Sequence, residues 1–593
     1  MTLEIAFVLA VVFLMLVGLV REIARPDMIL FVTLILFMIT GVISPQQAVK
    51  GFSNQGMLTI ALLFIVAGAV EKSGLFDRAI SYMLGTKSPN PRTAMWRMMF
   101  PISGMSAFLN NTPIVVTFTP FIRKWCEEHN ISPSKFLIPL SYATIMGGMI
   151  TLMGTSTNLV VHGMMLQKYG EGFSVFQLAV VGIPVTLFGL LYLATWGYKI
   201  LPNYRALTNA VDENSREYLA EMIVEPIYPH IGKTIEDAGL RNLKGLFLIE
   251  IIRESERVSP VKSTTVMKAG DRLIFTGDVS TIADLQNTKG LRLDPGADLS
   301  LDLLKNGNTE LVEVVVSHQS GLLSKRIKDT KFRGKYDAAV IAVHRNNERV
   351  KGKVGDIVLQ PGDTLLLLAG SDFQQRKHLF NDFYVVTPMG NPFLTKKDTQ
   401  KGLLTIGVLV VLIALVAFHV FSMFKAMSLA VVLLLLLRIV SPTEAKESVQ
   451  FNVLLLVASA FGIGAALTES GAAKWIAEGL VSFAEPYGLL AILLLVFLLT
   501  NIFTEMITNN AAAVMMFPIA TEMADQVGAD PMAFAVVVAI AASASFLTPI
   551  GYQTNLIVMG PGRYKFTDYY KVGLPLTIIV MIVTLVVVDM VWV

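Results

Sequence analysis

The sequence predicts an α-helical polytopic membrane protein: two inverted repeats, each about five spanning helices plus a re-entrant hairpin, around an α+β cytoplasmic insertion. Three observations predict it. Of 593 residues, 53% are hydrophobic and only 16% charged, too little charge to cover a soluble protein of this size. The charges are also gathered, with residues 201–398 carrying 53 of the 93, while apolar runs near the ~20 residues that cross a bilayer dominate both flanks. Finally, motifs of the first flank return in the second, in the same order and at one spacing. Disorder is excluded by the apolar content, and a disulfide-built secreted fold by the single cysteine, Cys126. A net charge of +3 offers nothing to nucleic acid.

Domain boundaries follow the charge. Residues 1–200 form a first membrane repeat, 201–295 and 296–398 two small soluble modules, and 399–593 a second membrane repeat. In the first repeat, apolar runs mark spans near 3–20, 28–44, 57–75, 136–164 and 174–198. The first run begins at Glu4 and is followed by Arg21 and Arg25, the reverse of a cleavable signal, so it reads as a span with its N-terminus outside. Residues 97–123 are irregular. From Arg97, or from Arg123-Lys124, to Asn110-Asn111-Thr112-Pro113 is roughly 12 residues, or ~18 Å of helix, short of the ~30 Å of hydrocarbon. Basic residues at both ends favour the cytoplasm for both, so the segment reads as a re-entrant hairpin, with one kinked helix of about 25 residues as the alternative.

The large repeat rests on five matches. Ser44-Pro45 returns as Ser441-Pro442, Ser73-Gly74 as Ser470-Gly471, and Glu71 as Glu469. Asn110-Asn111-Thr112-Pro113 pairs with Asn509-Asn510-Ala511-Ala512, which sets Glu505 opposite Ser106. Thr151-Leu-Met-Gly154-Thr-Ser-Thr157-Asn158 pairs with Thr548-Pro-Ile-Gly551-Tyr-Gln-Thr554-Asn555, and every offset lies between 397 and 399. Five spans and a hairpin make an odd number of crossings, so the second block enters the membrane upside down. Homologous blocks in opposite orientation are the architecture of a secondary transporter working by alternating access. The expectation is a multi-pass protein of the cell membrane, embedded in the lipid bilayer, with a cytoplasmic middle domain.

Asn and Thr are strong helix N-caps and Pro113 suits a first helical turn, so a helix begins there in mid-membrane. Its unpaired N–H groups and partial positive charge favour an anion, and hydrocarbon tolerates them only around a polar cavity. Asn110, Asn111, Thr112, Asn509 and Asn510 are therefore candidate substrate ligands, with Thr157 and Thr554 beside them. The two glycine-containing breaks unwind otherwise apolar helices. Their hydroxyls, amide oxygens and freed carbonyls are hard donors that suit Na⁺. Candidate cation ligands are Asn111, Gly154, Thr155, Asn158, Asn510, Thr548, Gly551 and Asn555. Each break is expected to pair with the hairpin of its own block, giving two cation sites. Glu505, one helical turn before Asn509, is a candidate for ion coupling, because a carboxylate inside a membrane is costly without a function.

Two Asn-containing hairpin motifs, each followed about 45 residues later by a Gly-Thr-x-Thr-Asn-like break, resemble the divalent anion/sodium symporter family of sulfate and di- and tricarboxylate transporters. The resemblance covers both membrane blocks. It implies a small anion as substrate, Na⁺ as coupling ion with no other cofactor, a homodimer, and a transport domain moving against a scaffold. The family signature reads Ser-Asn-Thr, whereas the matching positions here hold Asn110-Asn111-Thr112 and Asn509-Asn510-Ala511. The lost hydroxyls favour a compact oxyanion, sulfate, over a dicarboxylate that needs hydroxyl donors at both ends.

The middle third carries a smaller repeat, Ile231-Gly-Lys-Thr-Ile235 with Leu323-Ser-Lys-Arg-Ile327 and Ala269–Gly277 with Pro361–Gly370. Gly-Asp turns lead into short apolar strands, as in small α+β modules. The pair resembles TrkA-C domains, the C-terminal modules of potassium-transport regulators, which implies a small regulatory ligand; a structural or dimerising role stays open beside it. No Gly-x-Gly-x-x-Gly follows a strand there, so no dinucleotide site is expected. Other readings compete with symport. A sodium/proton antiporter or arsenite-type exporter shares the hairpin plan and would make Glu505 essential. A ligand-gated channel would want a filter-like repeat, and the sequence has none. Without a zinc-spaced His pair, a CxxC or a nucleophile elbow, an enzyme is not expected.

Overall fold

The structure is a computed structural model that describes residues 2–21, 23–72, 90–129, 131–204, 219–240, 246–253, 256–258, 261–262, 264–277, 290–293, 310–317, 320–345, 348–350, 354–369, 373, 382–388, 399–418 and 420–593. The Ser73-Gly74 match lies outside them. The first block builds α1 (Leu3–Val20), α2 (Pro26–Ile39), α3 (Pro45–Lys50) and α4 (Gln55–Lys72). Local chemistry sets the starts: the Thr2 side chain accepts from the Ile5 N–H, and Ser44 and Gln47 close a capping box on α3. Then come α5 (Pro91–Ser106) and α6 (Asn111–Glu128), joined through residues 107–110. Their 16 and 18 residues give arms of ~24 and ~27 Å. They exceed the expected length because Asn90-Pro91 starts α5 ahead of Arg97 and α6 continues past Arg123-Lys124. The 136–164 span is split into α7 (Leu137–Gly148) and α8 (Ser156–Tyr169), and α9 (Ala179–Tyr192) runs on through a π-turn toward Ile200.

Two five-stranded antiparallel sheets follow. The first contains β1 (Leu219–Val224), β2 (Leu246–Arg253), β3 (Glu256–Val258), β4 (Arg272–Gly277) and β5 (Leu291–Leu293), in the order β3-β2-β4-β1-β5. The second contains β6 (Glu310–Val316), β7 (Ala338–Arg345), β8 (Glu348–Arg349), β9 (Thr364–Ala369) and β10 (Phe383–Pro388), with the short α10 (Phe332–Tyr336) before β7. Its order, β10-β6-β9-β7-β8, is the same topology strand for strand. The Gly-Asp turns explain themselves. Gly270 and Gly362 sit at φ 84° and 81°, and the aspartate after each is fully buried. Arg253 Nε donates to Asp271 at 2.8 Å and Nη2 to the Val266 carbonyl at 2.8 Å; Arg345 repeats both bonds on Asp363 and Val358 at 2.7 and 2.8 Å.

The second block contains α11 (Thr399–Ala417), α12 (Met423–Leu436), α13 (Pro442–Ser448), α14 (Phe451–Glu469), α15 (Ala472–Ala484), α16 (Leu489–Met506), α17 (Asn509–Val527), α18 (Pro531–Ser543), α19 (Gln553–Gly562) and α20 (Phe566–Trp592). Six stretches among the described residues are long and apolar enough to cross a membrane: Leu3–Val20, Pro45–Ala69, Ala179–Ile200, Phe451–Glu469, Leu489–Met506 and Phe566–Trp592. Both blocks share one apolar core, and each sheet has its own.

The repeat between the blocks is carried by hydrogen bonds, and it corrects the sequence register by one residue. Ser106 Oγ donates to Asn111 Oδ1 at 2.5 Å and to the Thr144 carbonyl at 2.8 Å. Thr504 Oγ1 donates to Asn509 Oδ1 at 3.3 Å and to the Ala542 carbonyl at 2.6 Å. Asn111 therefore corresponds to Asn509, Thr112 to Asn510, and Asn110 to Thr508. Glu505 stands opposite Ala107 rather than Ser106. The breaks match too: Asn158 Nδ2 ties the Gly148 and Thr151 carbonyls at 3.1 and 2.9 Å, and Asn555 Nδ2 ties those of Ser545 and Thr548 at 2.9 and 3.2 Å.

In the second sheet module, Asp382 accepts from Ser320 Oγ at 2.9 Å, the Gly321 N–H at 2.7 Å, Lys335 Nζ at 2.8 Å and the Tyr336 hydroxyl. Burial pushes its carboxyl up, but these donors outweigh burial and hold the pKa below its ordinary value. The resulting stability is complete above the ordinary carboxylate range and fades as pH falls through the lowered folded value. Asp382→Ala should cost the module roughly 3–5 kcal/mol, seen as faster hydrogen exchange in β6–β10 with β1–β5 unchanged.

Candidate functional site

Each tip is held from behind by its own block. A Cβ at Gly154 would lie 2.7 Å from Gly148 Cα and 2.8 Å from the Ser106 carbonyl, so only glycine lets the break close on the tip. At Gly551 a Cβ would lie 2.9 Å from the Thr504 carbonyl and 3.0 Å from Glu505 Oε2. Two oxygen-rich clusters result. One gathers Ser106, Asn111, Gly148, Gly154 and Asn158, and leaves the buried Asn158 Oδ1 without a hydrogen-bond partner. The other gathers Thr504, Asn509, Ser545 and Gly551, with the buried Ser545 Oγ unpartnered. Glu505 belongs to the second alone, accepting from the Leu547 and Thr548 N–H groups at 2.8 and 2.9 Å.

In front, the tips reach across to the opposite block. Asn111 Nδ2 donates to the Tyr552 hydroxyl at 2.7 Å, and that hydroxyl lies 3.2 Å from Thr155 Oγ1. Thr112 Oγ1 donates to Gln553 Oε1 at 3.2 Å. Symmetrically, Asn510 Oδ1 accepts from Ser156 and Thr157, each at 3.2 Å. Each break thus packs on the tip of its own block from behind, while the side-chain bonds in front are made between blocks.

Between the tips lies a cavity of about 450 Å³ whose wall includes the first residues of four helices: Asn111–Pro113 of α6, Ser156-Thr157 of α8, Asn509-Asn510 of α17 and Gln553 of α19. The Thr155, Thr508 and Tyr552 N-caps are extended and make no side-chain cap bond, so first-turn N–H groups stay available to a ligand. Each N-terminus adds roughly half a positive charge. The only charged residues along the wall, among those described, are Arg25 and Asp27, which pair at 2.9 Å. The cavity is polar, free of an unpaired fixed charge, and electropositive by its helix ends. It suits an anion.

Comparison with known proteins agrees with this chemistry. Residues 11–539 match the CitMHS family, described as citrate transporters. The chain belongs to this family. A Chlamydomonas reinhardtii protein provisionally named a sulfur deprivation response regulator is 33% identical over 573 residues, covering 95% of this chain and 98% of its own. An uncharacterized transporter of Synechocystis is 31% identical, covering 98% and 96%. Sodium/sulfate cotransporter 2 of Chlamydomonas reinhardtii is 25% identical, covering 91% and 84%. The expected likeness to anion transporters is met at the level of this citrate-transporter family, whose members are membrane transporters and not enzymes.

In this CitMHS member the structure sorts the residues expected from sequence. Asn110, Asn111, Thr112, Thr155, Thr157, Asn509, Asn510 and Gly551 line the cavity. Gly154, Asn158, Thr548 and Asn555 do not: they stand behind the tips. Thr554, expected at the substrate, is fully buried behind the wall and bonded to Ser141, whose hydroxyl also donates to Asn555 Oδ1 at 2.7 Å. Sequence reasoning passed over Tyr552, Gln553, Ser156 and Thr508. Tyr552 and Gln553 lay inside the quoted break motif, and their polarity amid apolar residues was the available signal. Tyr552→Phe removes the hydroxyl joining Asn111 to Thr155. It should lower the apparent substrate affinity about tenfold in uptake assays, the worth of one hydrogen bond in a buried network.

Proposed function

We propose that this transporter carries a small divalent anion, sulfate first, in symport with Na⁺ by alternating access. The observation that carries this reading is the convergence of four helix N-termini, with Asn111 and Asn510, on one cavity without an unpaired fixed charge. In this reading the two blocks lie in opposite orientations in the cell membrane and α5–α6 is a re-entrant hairpin. The N-terminus is outside, the sheet modules are cytoplasmic and TrkA-C-like, and the working unit is a homodimer.

Na⁺ occupies the two oxygen clusters behind the tips, where Asn158 Oδ1 and Ser545 Oγ offer unused lone pairs to a hard cation. Its charge strengthens the field of the N-termini, and the dianion then binds between the tips. Neutralising the cargo before movement lowers the cost of passing a dianion through a low-dielectric barrier. Glu505 gives the second cluster a negative charge that Ala107 withholds from the first, so the second site takes its cation before the anion arrives.

The corrected register changes the argument for sulfate. Thr508 stands where the second tip was expected to have lost its hydroxyl, so hydroxyl donors no longer decide between anions. Sulfate rests instead on the neutral, backbone-lined cavity and on the sodium/sulfate cotransporter among the relatives. Citrate or another carboxylate is the second reading, favoured by the family description and the cavity volume of about 450 Å³.

Counterflow of labelled sulfate in proteoliposomes, with and without Na⁺ and against unlabelled succinate, citrate and phosphate, tests both. Asn111→Ala and Asn510→Ala should each abolish Na⁺-dependent uptake while the protein stays folded by size-exclusion chromatography. Normal uptake by both variants would remove the site. Glu505→Gln should lower the Na⁺ Hill coefficient from near two to near one. Uptake driven by a pH gradient and indifferent to Na⁺ would point to proton coupling instead.

A further inference from the structure

Among the described residues, the second sheet module is built into the membrane block by contacts that have no counterpart in its twin. Glu313 on β6 meets Arg123 of α6 at 2.6 Å, and the two side chains are 2% and 4% exposed. The charges of both act on Arg563, the residue that caps the end of α19. Val315, two residues along β6, packs in the core of the membrane blocks rather than that of its own sheet. At Gly362 a Cβ would come within 2.7 Å of Leu556 on α19, and Gly560 of α19 faces Thr364 and Val315 in turn. Leu323, Ser324 and Pro361 then complete one wall of the anion cavity.

The first module shows what this face looks like when it serves only itself. Its counterpart of Glu313 is Glu221, which is held by Arg272 of the neighbouring strand. The counterpart of Arg272 is Thr364, too short and neutral to pair with Glu313. Where the first module carries its own cation the second carries Thr364, and the membrane block supplies Arg123 in its place. Removing either partner of such a buried pair is strongly unfavourable, so the contact persists unless the module leaves as a whole.

We propose that the second module is a docked plug: it walls the cavity and clamps α6 and α19, and it must undock for the anion to pass on that side. This rests on the transport reading above, because α6 carries a tip and α19 follows a break. A regulatory signal received by the paired modules would act by shifting the docked fraction.

A reversible disulfide tests it. A Cβ at residue 560 would lie 3.3 Å from Thr364 Cβ, close to the ~3.8 Å of a disulfide. The variant Thr364→Cys/Gly560→Cys, in a Cys126→Ser background, should crosslink in membranes on mild oxidation. The oxidised protein should lose at least nine-tenths of its sulfate uptake and regain it with reductant. Absence of the crosslink, or full uptake by the crosslinked protein, would overturn the plug. The neutral pair Arg123→Gln/Glu313→Gln should raise the initial rate several-fold with KM unchanged and reduce crosslink yield; an unchanged rate and yield would also overturn it. Crosslinking needs no knowledge of the cargo. A wild type that ignores sulfate would therefore sink the substrate reading alone, and the lock would be read with labelled citrate.

Discussion

A backbone N–H or carbonyl without a partner is costly inside a membrane, and this molecule depends on where it leaves such groups open. Most of both blocks is ordinary helix, which pairs its backbone groups internally everywhere but at its ends. At four places the helices stop short. Each stop opens on the same cavity, so the exposed first turns face one another and not lipid. The glycines at 154 and 551 and the buried asparagines at 158 and 555 are the means of doing this. The glycines let a break approach a tip, and each asparagine holds together two carbonyls that the break has freed. Polar side chains then join the tips across the midline, making the two blocks one unit around the opening.

Much of this was legible in the sequence. Asn, Pro and Gly within apolar runs mark helix ends because each disfavours the helix interior for a separate reason, and their recurrence after about 400 residues marked them as paired. The register was less legible. Asn110-Asn111 and Asn509-Asn510 are identical dipeptides, and matching them as pairs shifts the alignment by one. Only the bonds from Ser106 and Thr504 show that Asn111 and Asn509 are the equivalent residues. Partners across the cavity were not legible, because nothing local ties Asn111 to Tyr552, 441 positions away.

Arg123 shows the same limit from another side. Beside an apolar run, a basic residue reads as a marker of which end faces the cytoplasm. Here it is nine-tenths buried and more, against a glutamate 190 positions later. Local sequence gives the charge; only the packed chain gives its partner. The two sheet modules make the point sharper, since they share topology and turn chemistry and differ where Arg272 becomes Thr364.

The cavity presents helix N-termini and neutral donors, with its one guanidinium already paired to Asp27, and this has a bearing on cargo choice. Exchanging Asn, Thr and Ser at the tips alters hydrogen-bond donors and room without altering net charge. The cost of desolvating an added ion, and the electrical balance of the loaded carrier, stay as they were. A scaffold built this way can be retuned from a tetrahedral oxyanion to a branched carboxylate by neutral substitutions alone, which gives a physical reason for chemically different anions to be served by related chains.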